Sequence, residues 1–430
     1  MSSPTEPLFA GIDIGTSGCR AIVIDERGEV RHSVAEALPA PQRDGRGVEQ
    51  SPALWWQALQ QLFAKLWCET SPQRIAALAL DGTSGTMLVT DHASTPLGPA
   101  LMYNDGRAVA AAELIKRMAP STSAAQGPTS GLAKLLWLQE RYGRTAIGQA
   151  RHQSDWLLGQ LLGHTTYSDI NNSLKTGYDP FSRAWPAWLE ALGVDRGVLP
   201  TVLLPGTAVG FPNPAACMAT GLSASTQLIM GTTDSTAAFI ATGAKRVGEA
   251  VTSLGSTLVT KVLSHQPIFA PEFGVYSQPL GDLWLVGGSS NSGGAVLRHY
   301  FSDAQMAAMT AALHPDQPTG LNYYPLLNPG ERFPHCDPQL VPRLTPRPES
   351  DLQFFQGLLE GIARIEHESY QRLAALGAPY PTTLYTVGGG AVNPVWATLR
   401  AKMIGTSLVK PLHHAAAYGV ATLAREGMRS

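Results

Sequence analysis

The chain has 430 residues, 31 basic against 33 acidic side chains, and 44% hydrophobic content. That length exceeds one ordinary core and implies two or three domains, while balanced charge without a basic block argues against a nucleic-acid surface. No run of about 18 apolar residues occurs, so no membrane span is expected.

The opening MSSPTEP has neither the basic region nor the apolar run of a secretory signal. In "FAGIDIGTSGCRAIVID" (9–25) two apolar runs, 9–14 and 20–25, flank a Gly/Ser turn, which predicts a β-hairpin. A P-loop or dinucleotide turn would instead open a helix. Asp13 stands in the first of these strands, where an unpaired buried carboxylate costs several kcal/mol. It either faces a cation or substrate, or merely ends the strand. "SPALWWQALQQLFAKLW" (51–67) predicts a helix with Ser51 as cap, Pro52 in the first turn, and its tryptophans in the core. Segments 74–82 and 86–91 read as strands around "DGTSG", followed by helices at 131–143 and 154–162. The stretch 169–179 reads as a loop at a pocket rim, with Lys175 reaching substrate or nothing, and 228–244 as strand then helix. "EAVTSLGSTLVTKVLS" (249–264) then repeats the opening pattern of strand, Gly-Ser-Thr turn, strand. A loop-rich span at 287–301, a proline-rich surface connection at 325–348 and a helix at about 351–376 come next. "TLYTVGGGAVNPVWATLRAKMIG" (383–405) is a strand, a triple glycine and a helix opened by Asn393-Pro394. The chain thus reads as two related halves, 1–242 and 243–430.

Tight turns of Gly, Ser and Thr expose backbone N–H groups and hydroxyls with little bulk, and such nests bind phosphate. Gly15, Thr16 and Ser17 form one; Gly255, Ser256 and Thr257 form the other. One in each half would grip a polyphosphate from both sides. Asp13 would then hold Mg²⁺ through water, because Mg²⁺ favours one or two carboxylates together with phosphate oxygens. Asp234, in "GTTDS", lies where a strand ends and a helix starts. A phosphoryl-transfer base mainly orients the attacking hydroxyl, so a low-pKa aspartate suffices there. Asp81, Thr83 and Ser84 offer polar groups at a strand end, suited to a polyol. Plainer readings stand beside these: Asp234 as a helix cap, Asp81 as a turn residue, a lone DxGT as chance. The case rests on the motifs occurring together and in order.

That ordered series resembles the FGGY carbohydrate kinases of the actin/hexokinase/Hsp70-type ATPase superfamily. "GIDIGTSGCRAIVID" is similar to the first phosphate motif, "SLGST" to the second, and "VGGGAVNPVWATLRAKMIG" to the adenosine motif. "LMYNDGRA" (101–108) resembles the Trp-Asn-Asp-x-Arg element with Tyr103 for Trp, and "AAAYGVATLA" (415–424) the closing helix. The resemblance implies an α/β fold of two ribonuclease-H-like domains flanking a deep ATP/sugar cleft. The first domain would bind sugar and the second nucleotide, with the final helix, about 415–430, packing back on the first. It further implies ATP and Mg²⁺ as cofactors, Asp234 as catalytic aspartate, Asp13 and Thr16 as metal and phosphate residues, and Gly255, Ser256 and Thr257 on the phosphates. Gly388, Gly389 and Asn393 would line the adenosine pocket, and sugar hydroxyls would bond Asp13, Asp81, Thr83, Ser84 and Asp234.

Two departures bear on the sugar. The chain has Gly82-Thr83-Ser84-Gly85 where xylulose kinases usually carry Gly-Gln-Met-His, and it is shorter than their usual length. With "GERFP" (330–334), these features are most similar to a compact cyanobacterial and plant group that phosphorylates D-ribulose. The expectation is ATP-dependent conversion of D-ribulose to D-ribulose 5-phosphate by a cytoplasmic monomer or homodimer (plastid stroma for a longer plant precursor). Its partners would be sugar and ATP, with neither nucleic acid nor membrane. A D-xylulose kinase, an idle sugar-binding regulator and a protein-moving ATPase are the rivals. Cys19, Cys68, Cys217 and Cys336 form no CxxC pair and read as scattered reduced thiols.

Overall fold

A computed structural model of the chain describes residues 6–429. It divides into two compact units, Met1–Ala241 with Ala415–Ser430, and Thr242–His414.

The first unit is laid on β1 (Leu8–Ile14), β2 (Gly18–Ile24) and β3 (Val30–Ala37), which run antiparallel to one another in turn. Helix α1 (Pro52–Glu69) then leads to β4 (Ile75–Gly82), parallel to β1. Further along come β5 (Met87–Thr90), α2 (Gly131–Tyr142), β6 (Gln149–His152), α3 (Gln153–Leu162) and the short α4 (Ile170–Leu174). Strands β7 (Ala208–Gly210) and β8 (Gln227–Ile229) and helix α5 (Asp234–Ala241) complete the series. The six-stranded sheet has the order β7-β8-β4-β1-β2-β3. Strand side chains alternate faces, so Leu8, Ala10, Ile12 and Ile14 join Trp55, Leu59, Leu62 and Phe63 of α1 in one core. Phe9, on the opposite face, packs with Ala417, Val420, Ala421 and Ala424 near the chain's end. That helix crosses β1 against its backbone: a Cβ at Gly11 would lie 2.0 Å from the Ala417 carbonyl oxygen. Asp13 shares the face of Phe9 and Gly11 but sits beyond them, near the strand tip.

The segment 169–179, expected as a loop at a pocket rim, is instead buried and contains α4. Asp169 caps it by accepting from the backbone N–H groups of Asn171 and Asn172. A polar run can be buried when its side chains find partners inside the fold, as these asparagines do.

The second unit repeats the plan. Strands β9 (Glu249–Leu254) and β10 (Leu258–Ser264) form its hairpin, followed by β11 (Tyr276–Leu280), β12 (Leu283–Ser290) and α6 (Gly294–Tyr300). Helix α7 (Asp351–Ala375) precedes β13 (Thr383–Val387), α8 (Pro394–Ile404) and β14 (Leu408–Val409). The sheet order is β11-β12-β10-β9-β13-β14. The chain closes with α9 (Ala416–Gly427), which belongs to the first unit. The span read as loop-rich therefore holds the end of β12 and the whole of α6. The proline-rich stretch is irregular but not superficial, since Leu326, Glu331 and Phe333 within it are buried. Glu366 of α7 and Arg400 of α8 form a buried bidentate pair, both bonds 2.6 Å. Thr252 and Tyr370 tie that pair to β9. Among the described residues no helix is long and apolar enough to cross a membrane.

Candidate active site

The β1–β4 register sets Asp13 directly beside Asp81. Asp81 is wholly buried, and no donor reaches either of its carboxylate oxygens. Burial, then the neighbouring Asp13, raises its pKa well above the usual carboxylate range, with Asp234 and Asp169 adding to the effect. Burial also raises Asp13, against the opposing pull of Asp81 and of Arg20, its register partner on β2. Two adjacent carboxyls sharing one proton behave in this way. A parallel bridge between Gly82 and Thr233 brings the start of α5 to the end of β4. Asp234 is half-buried there, and its Oδ1 accepts the Ser235 N–H at 2.6 Å. Asp13, Asp81 and Asp234, far apart in sequence, are thus gathered at one end of one sheet.

The first hairpin closes with the Gly15 N–H donating to the Gly18 carbonyl at 2.9 Å, leaving Thr16 half-exposed and Ser17 exposed at the tip. In the 82–86 turn, Thr83 is committed to the scaffold. Its hydroxyl donates to Gln153 Oε1 at 2.8 Å and lies 2.6 Å from Thr86 Oγ1. Ser84 differs, because its buried Oγ has no partner. The carbonyl of Gly85 accepts from Lys134 Nζ at 2.6 Å. Lys134 is fully buried on α2, and burial followed by the nearby Lys175 pushes its pKa down to about 7.

Sequence reasoning missed Lys134, although a lysine flanked by Leu132, Ala133, Leu135 and Leu138 on a helix is a signal in itself. It also missed the asparagines of α4. Asn171 donates to Thr232 Oγ1 at 3.0 Å and Asn172 to Ser154 Oγ at 3.1 Å, while both carboxamide oxygens stay unpartnered. Gln153 Nε2 is unpartnered too. Buried polar groups are nearly always hydrogen-bonded, so this concentration of orphans around Asp81 marks a site for a polar ligand. Asp105, from the Asn-Asp-x-Arg element, serves structure: it accepts from the Val48 N–H at 2.7 Å and from Arg107.

In the second unit, Gly255 N–H closes the hairpin onto the Thr257 carbonyl at 3.2 Å, and Ser256 is exposed. Ser253 pairs with Val387, so the triple-glycine turn leaves β13 beside that hairpin. Gly388 and Gly389 are exposed in this turn. Asn393 caps α8, accepting from the Trp396 N–H at 2.9 Å and donating to Thr310 Oγ1 at 3.1 Å. Its carboxamide is therefore engaged at both ends. Arg298, also missed, donates to Ser256 Oγ at 3.0 Å.

Among the described residues no group of three or more His, Cys, Asp or Glu side chains is placed to hold a metal. The Asp13–Asp81 pair, with its orphaned oxygens, fits Mg²⁺, which keeps waters and takes one or two carboxylates together with substrate phosphates.

The crystal structure of a "xyloylose kinase" from Brucella ovis superposes with a TM-score of 0.90 at 25% identity, covering 98% of this chain and 91% of that one. A xylulose kinase from Rhodospirillum rubrum shares the fold, with a TM-score of 0.87, 22% identity and coverage of 97% and 89%. The fold is that of an α/β sugar kinase. Xylulose kinase of Escherichia coli K12 is 26% identical over 419 residues, 93% of this chain and 86% of that protein. Residues 8–241 match the N-terminal domain and residues 250–426 the C-terminal domain of the FGGY family of carbohydrate kinases, and the chain belongs to that family. The family uses ATP with a divalent metal, generally Mg²⁺.

Proposed function

We propose that this kinase transfers the terminal phosphoryl group of ATP to the primary hydroxyl of a ketopentose, D-ribulose, giving D-ribulose 5-phosphate and ADP. The observation that carries the reading is the cluster in the first unit: Asp234 at a helix start, beside a buried carboxyl and unpartnered Ser84 and asparagine oxygens. Asp81, Ser84 and Asp234 bind the sugar hydroxyls, with Asp13 at the edge. Asp234 accepts the proton of the attacking hydroxyl as its oxygen bonds to phosphorus and the bond to ADP breaks. In the first unit Gly15, Thr16 and Ser17 offer donors suited to phosphate, and in the second Gly255, Ser256 and Thr257 offer a set of the same kind. Gly388 and Gly389 leave room for the adenosine, with Asn393 fixing the helix start behind them. Asp13 would hold Mg²⁺ through water, and the ion would supply charge neutralisation on the phosphates.

D-Ribulose is favoured by Ser84-Gly85 standing where a Met-His pair would serve xylulose. D-Xylulose is the second reading, supported by the xylulose kinases among the relatives. A coupled ADP-release screen over D-ribulose, D-xylulose, L-ribulose, ribitol and glycerol decides between them. The highest kcat/KM on D-ribulose is expected; preference for D-xylulose overturns the first choice, and no sugar-stimulated release overturns both.

A further inference from the structure

The second hairpin is electrically neutral: Gly255, Ser256 and Thr257 offer only N–H groups and hydroxyls. The outer phosphates of a nucleoside triphosphate carry several negative charges, and charge-assisted hydrogen bonds are roughly twice as strong as neutral ones. The fold places the Arg298 guanidinium at this hairpin.

Helix α6 docks on the hairpin backbone. Gly294 N–H donates to the Gly255 carbonyl at 2.9 Å, and Ala295 N–H to the Ser256 carbonyl at 3.1 Å. The approach needs glycine: a Cβ at Gly293, where φ is +146°, would lie 2.8 Å from the Ser256 carbonyl oxygen. One at Gly294 would lie 2.7 Å from the Gly255 carbonyl oxygen. Arg298 stands one turn further on, exposed, with Nη2 donating to Ser256 Oγ. A serine oxygen that accepts from the guanidinium is left to donate its own proton outward. The remaining guanidinium N–H groups are more than one contact can use.

The turn feeding α6 is anchored from behind. Glu331, of the "GERFP" stretch, is buried and accepts from Ser290 Oγ at 2.6 Å, the Asn291 N–H at 2.6 Å and Tyr324 OH at 2.9 Å. Ser290 Oγ accepts from the Ser292 N–H at 3.0 Å, and the Ser292 carbonyl from the Leu258 N–H of β10 at 2.7 Å. Hairpin, turn and helix are one hydrogen-bonded block, so Arg298 is presented by a braced element.

We propose that Arg298 is a phosphate-binding residue of the second unit, its guanidinium engaging the outer phosphates of ATP together with the Ser256 hydroxyl. This rests on the reading that the 255–257 hairpin holds those phosphates.

The test is calorimetric binding of ATP, ADP and AMP, each with Mg²⁺, and of D-ribulose, to the full chain. The proteins are the parent, Arg298→Met, Arg298→Lys and the hairpin variant Ser256→Val, with thermal melts confirming folding. Arg298→Met is expected to weaken ATP about 10- to 100-fold and ADP less. AMP and sugar should stay within about twofold, and lysine should recover part of the loss. Parent-like ATP affinity in Arg298→Met, with Ser256→Val impaired, overturns the role of Arg298 and leaves the hairpin reading standing. Parent-like affinity in both overturns both. Equal loss of ATP and AMP overturns a phosphate contact.

Discussion

The two hairpins are built on one plan and loaded differently. Around β1 and β2 the sheet reads β8-β4-β1-β2-β3, and around β9 and β10 it reads β14-β13-β9-β10-β12. In both, two parallel strands lead to the hairpin and an antiparallel strand follows. Two residues before the turn glycine, the first carries Asp13 and the second Ser253. Across the parallel neighbour, Asp13 meets Asp81 while Ser253 meets Val387. The first frame ends in carboxyl groups; the second ends in hydroxyls with a guanidinium overhead. A repeated backbone thus fixes where N–H groups and strand ends point, and the side chains placed there give the two ends different chemistry.

Asp234→Asn attacks this contrast at its strongest point. It should lower kcat by about 10³-fold or more while calorimetry still shows sugar binding; near-parent turnover would place the base elsewhere. Next comes the matched pair Asp13→Ala and Ser253→Ala, which strike equivalent positions of the two frames. Steady-state kinetics should show a loss of about 10²-fold in kcat/KM for ATP in the first and a change under about threefold in the second. Similar losses in both would mean that the asymmetry has no chemical meaning. Tyr324→Phe removes one donor from Glu331 behind the second hairpin and should lower unfolding free energy by about 1 kcal/mol in urea titrations.

The smallest effect concerns pH. Lys134 is shifted by burial from 10.5 to about 7. Between those values the unfolded chain binds a proton that the fold has shed, so the Lys134 contribution rises with pH across that window and levels off above it. Lys134→Met should flatten the rise, read as urea midpoints at pH 7, 8.5 and 10. An unchanged slope would show that Lys134 keeps its proton in the fold.

Both hairpins were legible because period-two apolar runs broken by Gly-Ser-Thr turns admit few other structures. Helix α1 was legible through its 3.6-residue apolar spacing and Pro52 in the first turn, although Ser51 at its N-cap makes no side-chain hydrogen bond, and α7 was read close to its observed bounds. The buried α4 was not, since a run of Asp, Asn, Ser and Lys looks solvated until partners such as Ser154 and Thr232 are known. Within "DGTSG", adjacent hydroxyls that look equivalent in sequence part company in space. Thr83 turns inward to Gln153, and Ser84 is left without a partner.

By itself, the sequence determined the repeated strand–turn–strand pattern, the acidic residues at strand ends and the family to which they point. Those are local properties, set by side-chain periodicity and by which residues tolerate tight turns. Only the tertiary structure decided that Asp13 lies against Asp81, that Lys134 holds the Gly85 carbonyl, and that Arg298 sits over Ser256. Each of these depends on sheet register or on helix docking between segments distant in the chain. No local pattern encodes which of many buried or charged residues will be brought within 3 Å of another.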